Sequence, residues 1–145
     1  MTRLTKHFQL SEFIVSDRHP ELAARIEQTP QRIANLTRLC CLVLEPLRLN
    51  FGAAVRINSG LRSSALNEAI GGSPTTQHVY GEAADIVVEG VPAEQVYTYL
   101  RIAALDTTTK DAICQLFWYK KSNFCHVSVP SFVAPKPNRI GGFEK

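Results

Sequence analysis

Residues 73–88, SPTTQHVYGEAADIVV, combine a polar loop with a strand-like apolar run. The first half is a polar loop that contains His78, whereas residues 84–88 form an apolar run typical of a buried strand. Asp85 lies at the head of that strand, where a carboxylate is costly to bury unless it is paired or binds a cation. Gly81 allows the connection to turn tightly, so this short segment is long enough to bring His78 and Asp85 together. The segment therefore predicts a polar site at the start of a buried strand.

A second strand-like run, NFCHVSV at residues 123–129, carries another histidine, His126. On an alternating strand, Phe124, His126 and Ser128 share one face. Two imidazoles and one carboxylate are typical of a three-ligand zinc site whose fourth position stays open for water. A lone histidine on a strand is more often a hydrogen-bonded core residue, and an Asp at a strand head is more often a capping residue. The residues alone leave the zinc site and these ordinary roles both open.

Elsewhere the chain shows helical periodicity and short β-prone runs. Apolar residues recur at three- and four-residue steps from Gln31 onward and predict an amphipathic helix that Pro46 ends or kinks. Ser11 is a candidate cap for a short helix, and Pro20 opens another. Further helices are predicted at 64–70 and 92–105, and strands at 53–58, 84–88, 112–119 and 124–129.

The order of these elements, helices first and antiparallel-looking strands later, indicates the α+β class. A chain of 145 residues has about the size of one ordinary domain, so we interpret 1–145 as a single domain. Residues 132–145 contain Pro135, Pro137 and a Gly-Gly pair, and we predict an irregular C-terminal tail there.

Composition and charge exclude several classes of protein. The 45% hydrophobic and 20% charged residues are typical of a globular domain and unlike a disordered tail. No apolar run approaches the roughly 20 residues needed to span a bilayer. No leader-type apolar stretch follows the basic start, so we expect cytoplasmic synthesis and no membrane insertion. The 16 basic and 13 acidic residues are scattered, which does not favour a nucleic-acid partner, and we expect a monomer.

The four cysteines, Cys40, Cys41, Cys114 and Cys125, form no CxxC pair. A structural zinc site built from cysteine is therefore not indicated. In a cytoplasmic product these residues are most simply reduced and buried. A bridge between Cys114 and Cys125 across a hairpin stays open as an alternative.

Three motifs together resemble those of a known enzyme family. NSGLRSS at 58–64, QHVYGEAADI at 77–86 and FCHVSV at 124–129 match, in this order, the family's SGxRS, SxHxxGxAxD and distal-His segments. The family is that of the zinc D-alanyl-D-alanine peptidases, which includes carboxypeptidases, dipeptidases and phage endolysins that cut peptidoglycan stem peptides. The resemblance covers residues 10–129. It implies the fold shared with the hedgehog signalling domain, a small antiparallel sheet flanked by helices.

The resemblance also implies a role for the polar residues of these motifs. A catalytic Zn²⁺ ion would be bound by three side chains, those of His78, Asp85 and His126. Arg62 would hold a carboxylate or carbonyl group of the substrate with its fork of N–H donors. Ser73 and Gln77, near the His78 loop, would add hydrogen bonds to the peptide. The implied partner is a peptidoglycan peptide.

The sequence departs from the family where a general base is expected. Many members have Glu or Asp three residues before the distal histidine, and Asn123 stands at that position. The amide of Asn123 cannot accept a proton in the working pH range, and the alternative position six residues before the histidine holds Lys120. We therefore assign the catalytic positions to Arg62 and Asn123 and leave the base open. The other residues that could serve near the metal are Glu68, Tyr80, Glu82, Asp111 and Tyr119.

Two functions of different classes follow. The first is a zinc peptidase that hydrolyses a stem-peptide bond of peptidoglycan, with the bond itself left open. Without a leader, such an enzyme would reach the wall through a holin or inside a virion. The second is a non-catalytic module that keeps the metal site and binds the wall or serves a structural role, which Asn123 favours. Hedgehog-like signalling shares only the fold, and a fold does not decide function.

Overall fold

One five-stranded sheet organises the molecule, for which a computed structural model describes residues 2–105 and 112–145. The strand order is β1-β2-β4-β3-β5. The strands are β1 Val55–Ser59, β2 Ala83–Val88, β3 Gln115–Tyr119, β4 Phe124–Ser128 and β5 Arg139–Phe143. The first four strands lie within or close to the runs predicted from the sequence. Together with the helices they confirm the α+β class.

The C-terminal segment corrects one expectation. The tail at 132–145 is not wholly irregular, because Arg139–Phe143 pairs with β3 in parallel, whereas all other strand pairs are antiparallel. The sheet is therefore mixed at one edge. Gly141 and Gly142 resemble a turn in the sequence, but the open edge of β3 offers backbone partners to any extended segment that reaches it. This pairing is a tertiary event that local patterning does not encode.

The helices follow the predicted periodicity, with one irregularity. They are α1 Pro20–Ala23, α2 Pro30–Leu39, α3 Glu45–Phe51, α4 Ser64–Ala69 and α5 Ala93–Leu105, together with short 3₁₀ turns at Leu10–Phe13 and Gln77–Tyr80. The long helix does not end at Pro46. Instead a π-helical segment, Cys40–Leu44, joins α2 to α3, and the Glu45 N–H donates to the carbonyl oxygen of Cys40 five residues back. This wider turn makes room for the proline ring, which in a regular helix clashes with the carbonyl four residues earlier.

The apolar core lies on one side of the sheet. The core-facing side of the strands packs against α5, where Tyr97 stacks on Trp118 at 5.7 Å, and against the long α2–α3 helix. Its fully buried large side chains include Phe13, Leu36, Leu39, Leu44, Leu47, Ile86, Leu100 and Leu116. The opposite face of the sheet is free to carry polar residues. None of the helices in the described residues is long and apolar enough to cross a membrane.

Two smaller expectations are also settled. Ser11 does not cap the first 3₁₀ turn, because Gln9 holds the cap position and its backbone N–H donates to the Glu12 carboxylate at 2.7 Å. All four cysteines are free, so the hairpin bridge is not formed. Burial raises the pKa of Cys125 to about 12, which keeps that thiol protonated and unreactive.

Candidate metal centre

Three side chains from three separate segments meet on the polar face of the sheet. Asp85 on β2 and His126 on β4 are direct partners in the antiparallel register, so their side chains project side by side. His78 comes from the 3₁₀ turn that precedes β2 and brings its ring to Asp85. That turn ends at Gly81 with φ of +76°, and a Cβ there would lie 2.8 Å from the carbonyl oxygen of Arg32. Only glycine fits this position.

The separations within this cluster fit a tetrahedral metal ion. His78 Nε2 lies 3.2 Å from Asp85 Oδ1 and 3.2 Å from His126 Nδ1, and His126 Nδ1 lies 3.0 Å from Asp85 Oδ1. Ligand atoms at zinc distances of about 2.0–2.1 Å in a tetrahedron are about 3.4 Å apart. The triangle formed by the three atoms is therefore close to one face of a zinc coordination tetrahedron.

The hydrogen bonds behind the two imidazoles determine which atoms face the centre of the cluster. His78 Nδ1 donates to the carbonyl oxygen of Gly60 at 2.8 Å, and His126 Nε2 donates to Gln115 Oε1 at 3.0 Å. In the neutral rings, His78 Nε2 and His126 Nδ1 then carry lone pairs, as does Asp85 Oδ1. Three lone pairs converge with no proton between them, and a cation is what stabilises such an arrangement.

The electrostatics of the cluster favour the protonation states that a metal requires. Burial lowers the pKa of His126 and favours its neutral ring, although in the metal-free cluster a proton shared with Asp85 opposes this. Burial alone would raise the pKa of Asp85, but an imidazole that carries a proton towards it outweighs burial and holds that pKa below its usual range. Both groups are therefore in the form that binds a metal ion.

The arrangement of two histidines and one aspartate agrees with the comparison with known families. A family model described as Peptidase M15 matches residues 6–128, which is most of the chain. The chain belongs to the M15 peptidase family. Peptidases of this family are zinc-dependent metallopeptidases, so the resemblance stated from the sequence motifs is confirmed. No curated protein matches the chain.

In this M15 peptidase, Arg62 both holds the metal ligand Asp85 and lines the cleft. Its side chain is buried, and its three nitrogens each donate to a protein oxygen. Nη2 bonds Asp85 Oδ2 at 3.2 Å, Nη1 bonds Asn67 Oδ1 at 3.0 Å and Nε bonds Ser59 Oγ at 3.0 Å. Arg62 thereby turns Oδ1 of Asp85 towards the two imidazoles. Two of its five N–H groups are left over, so substrate contact by Arg62 stays a prediction.

The structure places the two predicted peptide contacts, Ser73 and Gln77, in different environments. Gln77 is buried, its amide N–H donates to the carbonyl oxygen of Val129 at 2.8 Å, and its amide oxygen accepts from Ser128 Oγ at 2.6 Å. Gln77 does not line the cleft above the metal centre, so its assignment as a substrate contact is wrong. Ser73 does line this cleft, with its hydroxyl 3.1 Å from that of Thr75, and its role stays a prediction.

Asn123 is not part of the site. It lies in the turn between β3 and β4 with φ of +55°, and its side-chain oxygen accepts from the backbone N–H of Ala93 at 3.1 Å, at the start of α5. Cys125 Sγ also donates to the carbonyl oxygen of Ala93 at 3.4 Å, so Asn123 and Cys125 both contact the start of α5, while His126 lies on the metal side of the sheet. Asn123 therefore stabilises a turn and a helix start, and its assignment as a catalytic residue is wrong.

The other candidates for a base are also placed by the structure. Glu82 is buried away from the metal with Arg38, 3.7 Å from its carboxylate, and Lys120 forms an ion pair with Glu144. Glu68 and Tyr80 line a neighbouring cleft. Asp111 lies outside the described residues. Of the candidates within the described residues, only Tyr119 lines the metal cleft.

The metal cleft has a volume of about 490 Å³ and an aromatic wall. Phe117 stacks on the His126 ring at 5.2 Å, and Tyr119 stacks on Phe124 at 4.6 Å. Among the described residues that line the cleft, Asp85 carries the only side-chain carboxylate. Gln115 and Phe117 were missed by sequence reasoning, although both have the even spacing along β3 that places them on one face.

Proposed function

We propose that this M15 peptidase hydrolyses peptide bonds in the stem peptides of peptidoglycan with a bound zinc ion. The single observation that carries the proposal is the convergence of three metal-binding lone pairs, supported by hydrogen bonds to Gly60 and Gln115, at the floor of an open cleft. Three protein ligands with an accessible fourth position are typical of catalytic zinc sites, whereas structural sites close all four. An enzyme of the cell wall would be released by a holin or carried in a virion.

The residues of the chain contribute in distinct ways. Zinc held by His78, Asp85 and His126 would polarise a carbonyl group and lower the pKa of water. Arg62 keeps Asp85 in position and directs its two remaining N–H groups to hold a substrate oxygen. The aromatic wall of the cleft excludes water from one side of the peptide. Together these residues fix the reacting carbonyl relative to the metal ligands.

Tyr119 supplies a hydrogen bond in place of the missing acid. It lies opposite Phe124 and one strand away from His126, and its hydroxyl forms no hydrogen bond with the described residues. Burial raises the pKa of Tyr119, with a further increase from Asp85, so its hydroxyl keeps its proton at neutral pH. Tyr119 Oη can therefore donate to a carbonyl oxygen of the substrate but cannot take up a proton. Loss of a general base typically costs about 10²–10⁴-fold in rate, so we expect slow hydrolysis.

The lack of a general base in the cleft also favours a second function. Asp85 is the only side-chain carboxylate among the described residues that line the cleft, and it is already engaged by Arg62. A protein with this cleft could bind a stem peptide at the metal without cutting it. This non-catalytic binding module is the alternative to slow hydrolysis.

Metal analysis and digestion of purified stem peptides separate the two functions. We expect about one zinc ion per chain and peptide products detectable by mass spectrometry over hours. His126→Ala should lose both the metal and hydrolysis, whereas His19→Ala, which removes an imidazole that does not line the cleft, should keep both. Tyr119→Phe should slow hydrolysis without changing the zinc content. Zinc binding with no product from the native protein favours the binding module, and equal hydrolysis by His126→Ala refutes the metallopeptidase.

A further inference from the structure

We propose that β5 and the segment just before it add a cationic subsite to the metal cleft, formed by Arg139 and Lys136, which selects peptides that carry a free carboxylate. The inference rests on the proposed function, because it names a property of the substrate that the same cleft takes. It concerns residues that follow the segment matched by the family, which ends at residue 128. The subsite therefore lies outside the region that the family model matches.

The register of β5 places its side chains on the metal side of the sheet. Arg139 pairs with Gln115, and Phe143 pairs with Tyr119. Gln115 contacts His126 and Tyr119 lines the cleft, so this alternating set of β3 faces the metal. Neighbouring strands in register present corresponding residues on the same face. Arg139 and Phe143 therefore extend the metal face of the sheet by one strand.

The guanidinium of Arg139 is held one aromatic ring away from a metal ligand. It lies 5.2 Å from the centre of the Phe117 ring and 5.7 Å from that of Phe143. Phe117 in turn stacks on His126 with an angle of 15° between the rings. These contacts orient the cation without neutralising it, because an aromatic face attracts a cation but carries no net charge.

The charge of the subsite is not balanced by the protein. No ion pair joins Lys136 or Arg139 to another residue in the described part of the chain, whereas Lys120 on the same edge is paired with Glu144 at 2.9 Å. Lys136 and Arg139 line the cleft together with Lys145, which also has no ion pair among the described residues. The only side-chain carboxylate that lines the cleft, on Asp85, is already engaged by Arg62. A carboxylate of the ligand is the group that this imbalance favours.

The backbone leaves room for such a group. Gly141 lies between Arg139 and Phe143 on the same face and pairs with Phe117. A Cβ built at Gly141 would meet no atom within 4 Å, so the space beside Phe117 is open. A side chain at this position would project into open space on the metal side of the sheet. That space is therefore available to a ligand that approaches from the metal.

Equilibrium binding tests this subsite independently of hydrolysis. The probes are acetyl-D-Ala-D-Ala and its C-terminal amide, which have nearly the same size and differ by one charge. We expect the zinc-loaded protein to bind the carboxylate form more tightly in calorimetry or NMR titration. Arg139→Gln should reduce this preference about two- to five-fold, the range of an exposed charge pair, and Arg139→Lys should retain most of it. Any direct contact between the carboxylate and zinc is common to these proteins and cancels in the comparison.

Matched controls make the result decisive. Arg101→Gln removes the same charge from an exposed position on α5 and should leave the preference unchanged. The double variant Arg139→Gln, Lys136→Gln should lose more than either single variant, and 0.5 M salt should weaken the preference of the native protein. An equal preference in the native protein and the double variant, or no preference in the native protein, overturns the subsite. Hydrolysis of the same peptides tests the proposed function separately, so either can fail alone.

Discussion

The hydrogen bond from His126 to Gln115 predicts a measurable loss of zinc affinity when its acceptor is removed. Gln115→Met keeps the length of the side chain but cannot accept from Nε2 of the imidazole. His126 is 7% exposed, so its N–H would be left largely without water as a substitute partner. Groups that support a metal-binding histidine in this way change metal affinity by about 10–100-fold, which corresponds to about 1.4–2.7 kcal/mol.

Competition with a chromophoric chelator at pH 7.5 measures this effect directly. Gln115→Glu should bind zinc at least as tightly as the native protein, because a carboxylate is the stronger acceptor for an imidazole N–H. Gln95→Met makes the same substitution at an exposed position on α5 and should have no effect. An unchanged zinc dissociation constant for Gln115→Met, with the fold intact by circular dichroism, would refute the assigned ring orientation of His126.

Three further substitutions test other parts of the structure. Arg62→Met leaves the Asp85 carboxylate, whose side chain is 14% exposed, without its cationic partner. We expect a loss of about 3–5 kcal/mol in the free energy of urea unfolding of the zinc-free protein; a loss below about 1 kcal/mol would contradict the pairing. Asn123→Asp should not accelerate hydrolysis because residue 123 faces α5. Asn123→Ala should lower the free energy of unfolding by about 1 kcal/mol, because the N–H of Ala93 loses its acceptor. A large gain in rate for Asn123→Asp would show that the residue reaches the substrate. Burial raises the pKa of Glu45, but hydrogen bonds from His7 and Thr5 outweigh it and leave the pKa below its usual value. The stabilisation by Glu45 is then complete above pH about 4.3 and is lost as the pH falls through the lowered pKa. Glu45→Gln should therefore destabilise the protein at pH 7 and much less at pH 2. A larger loss of unfolding free energy at pH 2 than at pH 7 would contradict the lowered pKa.

Local patterns were sufficient for the elements that position the metal ligands. The apolar run after Asp85 predicts β2, and the alternation around His126 predicts the face of β4 that carries it. Since side-chain direction in a strand follows a period of two, the sequence alone places these residues on defined faces. The rule does not extend to Asn123, which lies in the turn before β4 with φ of +55°. Its contact with Ala93 at the start of α5 is a tertiary contact that spacing does not encode.

Local sequence patterns do not predict the order in which the strands pair in the sheet. Gln115 contacts His126 only because β3 and β4 pair in one register, and a shift by one residue would turn Gln115 to the core. Gln77 looks like a loop residue in the sequence, yet its amide N–H donates to the carbonyl oxygen of Val129, which follows β4 and lies 52 positions later. Polar residues in a loop are equally suited to a ligand or to buried backbone partners, and only the packing distinguishes the two.

The sequence by itself determined the fold class, because spacing and alternation are local properties. The family, and the two histidines and one aspartate as metal ligands, followed from the resemblance of its three motifs. The tertiary structure decided which atoms of those residues converge, which side chains support them and which candidates lie elsewhere. It also brought β5 to the free edge of β3, where Arg139 joins the metal cleft. Such contacts depend on pairing between distant strands, whose register is set by the whole core and by no single segment.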